Sequence, residues 1–90
     1  MHPLDLNSRL EILVSLAREI GLTVRRESLG GEGGGFCLIK GQRVLFIDTT
    51  ADAETRYERT LAALAPLSEL DQRYIAPEVR EDIDRARSTV

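Results

Sequence analysis

Residues 35–48 read GFCLIKGQRVLFID, and the fold turns on how this stretch is paired. Two apolar runs, Phe36-Cys37-Leu38-Ile39 and Val44-Leu45-Phe46-Ile47, flank Lys40-Gly41-Gln42-Arg43. The spacing predicts a β-hairpin. With Gly41-Gln42 as a two-residue loop, the positive φ required at the first central position of a type II′ turn falls on glycine, which accepts it without strain. That loop sets Ile39 opposite Val44, Leu38 opposite Leu45, Cys37 opposite Phe46 and Phe36 opposite Ile47. Side chains alternate along a strand, so Cys37, Ile39, Val44 and Phe46 share one face, and Phe36, Leu38, Leu45 and Ile47 the other. Both faces are apolar.

On the N-terminal side, residues 30–35 hold five glycines in six positions, a flexible connection into the hairpin. Before it, residues 22–28 alternate Leu22, Val24 and Arg26 with Thr23, Arg25 and Glu27, a strand whose polar second half suits a sheet edge. A helix is expected from Asp5 or Ser8 to Ile20. Ser8 and Glu11 fit a capping box, and Asp5 is a rival N-cap. Leu6, Leu10, Leu13, Ala17 and Ile20 form its apolar stripe. Gly21 suits the left-handed position after a helix end, with Leu22 packing back on the last turn.

On the C-terminal side, Thr50 is the expected cap of a second helix over residues 51–67, with Ala53, Tyr57, Leu61 and Leu64 facing inward and Pro66 ending it near Ala65. Leu70, Tyr74 and Ile75 give the connector over residues 68–76 enough apolar mass to lie against the body. Pro77 suits the first position of a third helix, to about Arg87, whose stripe of Val79, Ile83 and Ala86 is narrow. Residues 88–90 are expected to fray.

The order α-β-β-β-α-α makes this a single α+β domain over residues 1–90, expected as a three-stranded antiparallel meander with helices packed on the sheet. Two good helical stripes cover one sheet face. The other face needs a lid, either a second copy packed sheet to sheet or strand to strand, or the third helix folded across it. The homodimer is the preferred expectation, because four large side chains at ~1.5–3 kcal/mol each are too much to leave in water.

Composition narrows the classes. Hydrophobic content of 42% and charged content of 30% are those of a globular chain. A net charge of −3 gives no general attraction to nucleic acid or acidic lipid. No apolar run is long enough to span a membrane, and the start of the chain lacks a signal-peptide pattern. One cysteine suits a reducing cytoplasm, the expected location.

The glycine run invites a phosphate-binding reading, in which backbone N–H groups converge on an anion. Gly31, Gly33 and Gly34, with Arg25, Arg26, Lys40 and Arg43 near one end of the sheet, are the candidate anion-binding residues. Neither the dinucleotide nor the P-loop pattern is completed, and a strand follows where both motifs need a helix, so a plain connection is preferred. Cys37 has no basic partner in sequence, the sole histidine being His2, and is expected in the core opposite Phe46 rather than as a nucleophile. One His and one Cys make no zinc site. Asp48, Asp52 and Glu54 suit capping better than magnesium. No cofactor, metal ligand or catalytic residue is assigned.

Two resemblances bear on function. The segment GGGFCLIKGQRVLFID, the helix with Glu54, Arg56 and Arg59, and YIAPEVRE at residues 74–81 are similar to a group of small bacterial proteins of unknown function, which implies no activity. The succession of helix, glycine-containing hairpin and second helix also resembles, in topology only, the phage-repressor-cleaving metallopeptidases. Their zinc helix carries HExxH. The matching residues here, Arg59-Thr60-Leu61-Ala62-Ala63-Leu64, have neither the histidines nor the catalytic Glu, so the resemblance implies at most a metal-free remnant. The expectation is a non-enzymatic interaction module forming a homodimer, with an unidentified protein as a possible further partner. The alternative is a small-ligand or phosphate binder working through the glycine loop.

Overall fold

The structure, a computed structural model, describes residues 5–88. The expectations placed on His2 and on residues 89–90 lie outside the described residues. α1 (Leu6–Glu19) is capped by Asp5, whose carboxylate accepts the Ser8 N–H at 2.7 Å. This resolves the choice between Asp5 and Ser8. At its other end Gly21 takes φ 95°, with the Gly21 N–H bonded to Arg18 O and the Leu22 N–H to Ala17 O. These are the two bonds of a Schellman motif, and they seat Leu22 in the core.

β1 (Thr23–Glu27), β2 (Gly34–Ile39) and β3 (Gln42–Asp48) form one sheet in the order β1-β3-β2. The antiparallel meander is corrected on two counts. The sheet is mixed, because β1 runs parallel to β3, with Thr23 beside Val44 and Glu27 beside Asp48. β3 lies in the middle, so the glycine-rich segment does not turn β1 straight back into a neighbour. It arches over the C-terminal end of β3 and delivers β2 to the far edge. Arg25, Arg26 and Glu27 fit β1 for an edge, while β2 and β3 are each apolar on both faces. The choice between those two is made by Asp48 at the end of β3, which accepts the N–H groups of Leu29, Gly31 and Gly33 and so holds the connecting segment across β3.

The hairpin also turns one residue earlier than expected. Its loop is Lys40-Gly41, with Ile39 opposite Gln42, Cys37 opposite Val44 and Phe36 opposite Leu45. Lys40 (φ 50°) and Gly41 (φ 79°) both take positive φ, the requirement of a type I′ turn, whose twist matches that of the strands better than most alternatives. The slip changes every cross-strand partner but leaves each side chain on the face assigned to it, because the pairing moves by an even step.

α2 (Ala53–Leu64) starts later than expected. Its cap is Asp52, which accepts the Thr55 N–H at 2.7 Å, while Thr50 turns to Asp48 instead. A 3₁₀ turn at Ser68–Gln72 follows, then α3 (Pro77–Ser88). Leu70 and Ile75 are buried, but Tyr74 points into solvent at 87% exposure. α1 packs on β1 and α2, α2 packs on β2 and β3, and α3 packs on α2 and α1. The third helix therefore adds to the helical side and does not cross the opposite sheet face. Its stripe also docks more firmly than its width suggests, since Val79 and Ile83 are fully buried in the same core as Leu13, Leu45, Ile47, Tyr57, Leu61 and Leu64.

Candidate functional site

The glycine arch is organised by Asp48. Its carboxylate is fully buried at the end of β3 and accepts the N–H groups of Leu29 (3.0 Å), Gly31 (2.6 Å), Gly33 (3.2 Å) and Thr50 (2.9 Å), together with the Thr50 hydroxyl (2.5 Å). Burial pushes this carboxyl up, but the bonds from Thr50, Leu29 and Gly33 outweigh it and hold the group well below the usual carboxylate range. The nest of backbone amides that a phosphate would need is thus assembled, and an internal carboxylate occupies it. Gly34 closes the arch. At φ 96°, a Cβ there would run into the carbonyl oxygen of Phe46.

The basic candidates are not gathered round the arch. Arg26 reaches α1 and holds Glu11 in a two-pronged pair at 3.1 and 2.9 Å. Arg43 makes a bidentate pair with Glu69 and also donates to Ile20 O at 2.7 Å, at the opposite end of the sheet from Asp48. Its hydrogen bond keeps the Glu69 carboxyl below its ordinary value. Arg25 pairs with Glu27 at 2.5 Å and lies over the Phe46 ring, 5.4 Å from its centroid. Lys40 is at the hairpin tip. Gly31 and Gly33 are the two anion candidates that meet, and they meet on Asp48.

A second polar cluster ties the three helices together. The Tyr57 hydroxyl donates to Asp82 Oδ2 at 2.5 Å, and Arg9 donates to the same oxygen at 2.9 Å. Arg85 adds a longer contact to Oδ1 at 3.4 Å. Burial, and then the bond to Asp82, pushes the Tyr57 hydroxyl far above its ordinary value. The cluster is packed beneath solvent, with Tyr57 and Asp82 both buried, so it fixes helix positions rather than presenting a reacting atom. The sequence carried a trace of it. Asp82 falls on the buried stripe, three residues after Val79 and beside Ile83, where an acid has to find a donor.

No family model, curated protein or solved structure matches this chain. Among the described residues no group of three His, Cys, Asp or Glu side chains comes together as a metal would require. Asp48 and Asp52, two of the carboxylates weighed for magnesium, serve the arch and the α2 cap. No described helix is long and apolar enough to cross a membrane.

What stands open is β2. Phe36 (41% exposed) and Leu38 (63%) lie on the helix-facing side of the sheet, and Cys37 and Ile39 (37%) on the other. Cys37 is therefore not the core residue expected. Its partner is Val44 rather than Phe46, and among the described residues no helix covers the sheet there. The outer face is less bare at its centre, where Val44 is buried and Arg25 roofs half-buried Phe46. The apolar surface left over is concentrated on one edge strand rather than spread over a face. A shallow hollow lined by Leu29, Glu32, Gly34, Gly35, Phe36, Cys37 and Phe46 runs alongside it.

Proposed function

We propose that this chain is a non-enzymatic interaction module that works as a homodimer. One observation carries the reading: β2, an edge strand, exposes large apolar side chains on both of its faces. A strand apolar on both sides has the pattern of a sheet interior, and natural edges are ordinarily blunted by charge, proline or a bulge. β1, the other edge, follows that rule with Arg25, Arg26 and Glu27. β2, with the sequence GGFCLI, does not. The reading is also supported by the two polar clusters, whose carboxylates, Asp48 and Asp82, are both taken up by internal donors.

Sedimentation velocity of the full chain tests the proposal. The expected species at micromolar concentration has twice the 10.0 kDa mass of the protomer. A protomer that stays single up to ~100 μM, a range in which weak specific complexes assemble, overturns it.

A further inference from the structure

Resting on that reading, we infer that two copies join edge to edge, β2 antiparallel to β2 about a two-fold axis at Cys37, forming one six-stranded sheet. The backbone fixes which groups are free to do this. Ile39 and Gln42 flank the two-residue loop and form a hydrogen-bonded pair. The ladder then alternates, so Ile39, Cys37 and Gly35 turn their N–H and C=O groups toward β3. The bond from the Asp48 N–H to Gly33 O continues the same parity. The groups of Phe36 and Leu38 therefore face outward, unpaired within the sheet, at the free edge.

Only certain registers let outward groups meet outward groups. A two-fold axis at Phe36 would draw Gly34 into the ladder opposite Leu38. Gly34 is at φ 96°, outside the extended region, and is pinned against Phe46. An axis at Cys37 avoids this. Phe36 of each copy then exchanges both backbone bonds with the partner's Leu38, and each Ile39 lies over the partner's side-chain-less Gly35. Cys37 stands opposite Cys37 as a non-hydrogen-bonded pair, with Cα atoms ~4.5 Å apart.

Two further features favour a second copy over an unrelated strand. The edge itself is uncharged, so nothing on it selects a charged partner. Its two flanks carry opposite charge, Glu32 before the strand and Lys40 after it, so antiparallel pairing brings Lys40 of each copy toward the partner's Glu32 at both ends.

The chain has one cysteine, which makes the register readable. Copper-phenanthroline oxidation removes a proton and an electron from each thiol and joins sulfurs that face each other. Within a dimer it should convert most of the protein to a disulfide-linked pair, since Cα atoms at this separation suit the bond. Leu38→Pro deletes an outward N–H that makes no bond to β3 and should yield a folded monomer by circular dichroism and sedimentation. Leu38→Lys serves the same end should the proline variant unfold. A wild-type dimer that survives both changes, or that fails to cross-link through Cys37, overturns the edge pairing while leaving self-association standing. A wild-type monomer removes both.

Discussion

Tyr57 on α2 and Asp82 on α3 meet at 2.5 Å inside a chain of ninety residues, with Arg9 of α1 closing on the same carboxylate oxygen. Three helices that share no continuous hydrogen-bonded framework are thereby held in one relative placement. A buried carboxylate is costly without donors, so the arrangement also specifies which faces of the helices can pack. Tyr57→Phe keeps the ring in the core and removes one donor. The expected loss is about 1.5–3 kcal/mol by urea denaturation, the range for a hydrogen bond to a charged group.

The same pair gives an alkaline limit. The Tyr57 hydroxyl is raised above its ordinary value in the folded state, so the folded chain holds this proton where the unfolded chain has begun to lose it. The contribution is complete below about pH 10, the unfolded value, and declines as pH rises beyond it. Denaturation midpoints taken at pH 9 and pH 11 should fall more for the wild type than for Tyr57→Phe. Equal losses would mean that the hydroxyl ionises freely.

Asp48 sets the acid limit by the opposite sign. Its folded-state value is depressed, so its contribution is present above the unfolded value near pH 4 and is lost as pH falls below it. Asp48→Asn supplies one acceptor oxygen where five donors converge. At pH 7 its melting temperature should lie on the order of 10 °C below wild type, given ~4–8 °C per kcal/mol in a domain of this size. At pH 2.5 the two curves should draw together. A constant gap across that interval would show that the carboxylate charge is not what binds the arch.

The parts of this fold that the sequence disclosed are those written in local periodicity. The three helices, the hairpin and both hairpin faces follow from spacing alone, and Pro66, Pro77 and Gly21 mark the boundaries they ordinarily mark. What stayed hidden is non-local. Nothing in residues 22–35 states whether the chain returns beside β1 or crosses over β3, because that choice depends on Asp48, fifteen residues beyond Gly33, reaching back to the arch. The exposure of Cys37 has a related cause. Alternation along the strand gives its face, but burial depends on what lies across that face, and no described helix does. The basic candidates depend on non-local placement in the same way: Arg25, Arg26 and Arg43 each have a separate partner, Glu27, Glu11 and Glu69.

The glycines of the arch should differ sharply in tolerance. Gly30 also takes a positive φ, but a Cβ there meets nothing within 4 Å, whereas at Gly34 it collides with backbone. Gly30→Ala should cost about 1 kcal/mol for the left-handed conformation alone. Gly34→Ala should cost ~3 kcal/mol or more, because the Phe46 carbonyl belongs to the central strand and cannot yield. Chemical denaturation of the two variants decides it. Similar losses would mean that the arch is free to move away from β3.

Lys40 is the one described residue other than glycine with positive φ, and a type I′ turn prefers Asn before Gly. Lys40→Asn should raise stability by about 0.5–1 kcal/mol without altering the register. A drop instead would indicate that the Lys40 side chain contributes more than its backbone conformation costs.

Phosphate provides the final discrimination. A ligand that binds only the folded state must raise its melting temperature, and the amides of Gly31 and Gly33 are the donors a phosphate at the arch would use. Both already donate to Asp48, so an incoming anion would have to displace a buried carboxylate of its own sign. Millimolar inorganic phosphate or nucleotide should therefore leave the melting temperature where it was, beyond the shift given by sulfate at equal ionic strength. In Asp48→Asn the opposing charge is gone while much of the nest remains, and a phosphate-dependent rise there is the expected contrast. A rise of several degrees in the wild type, abolished by Arg26→Ala, would instead show that the arch opens to an anion and that Arg26 leaves Glu11 to meet it.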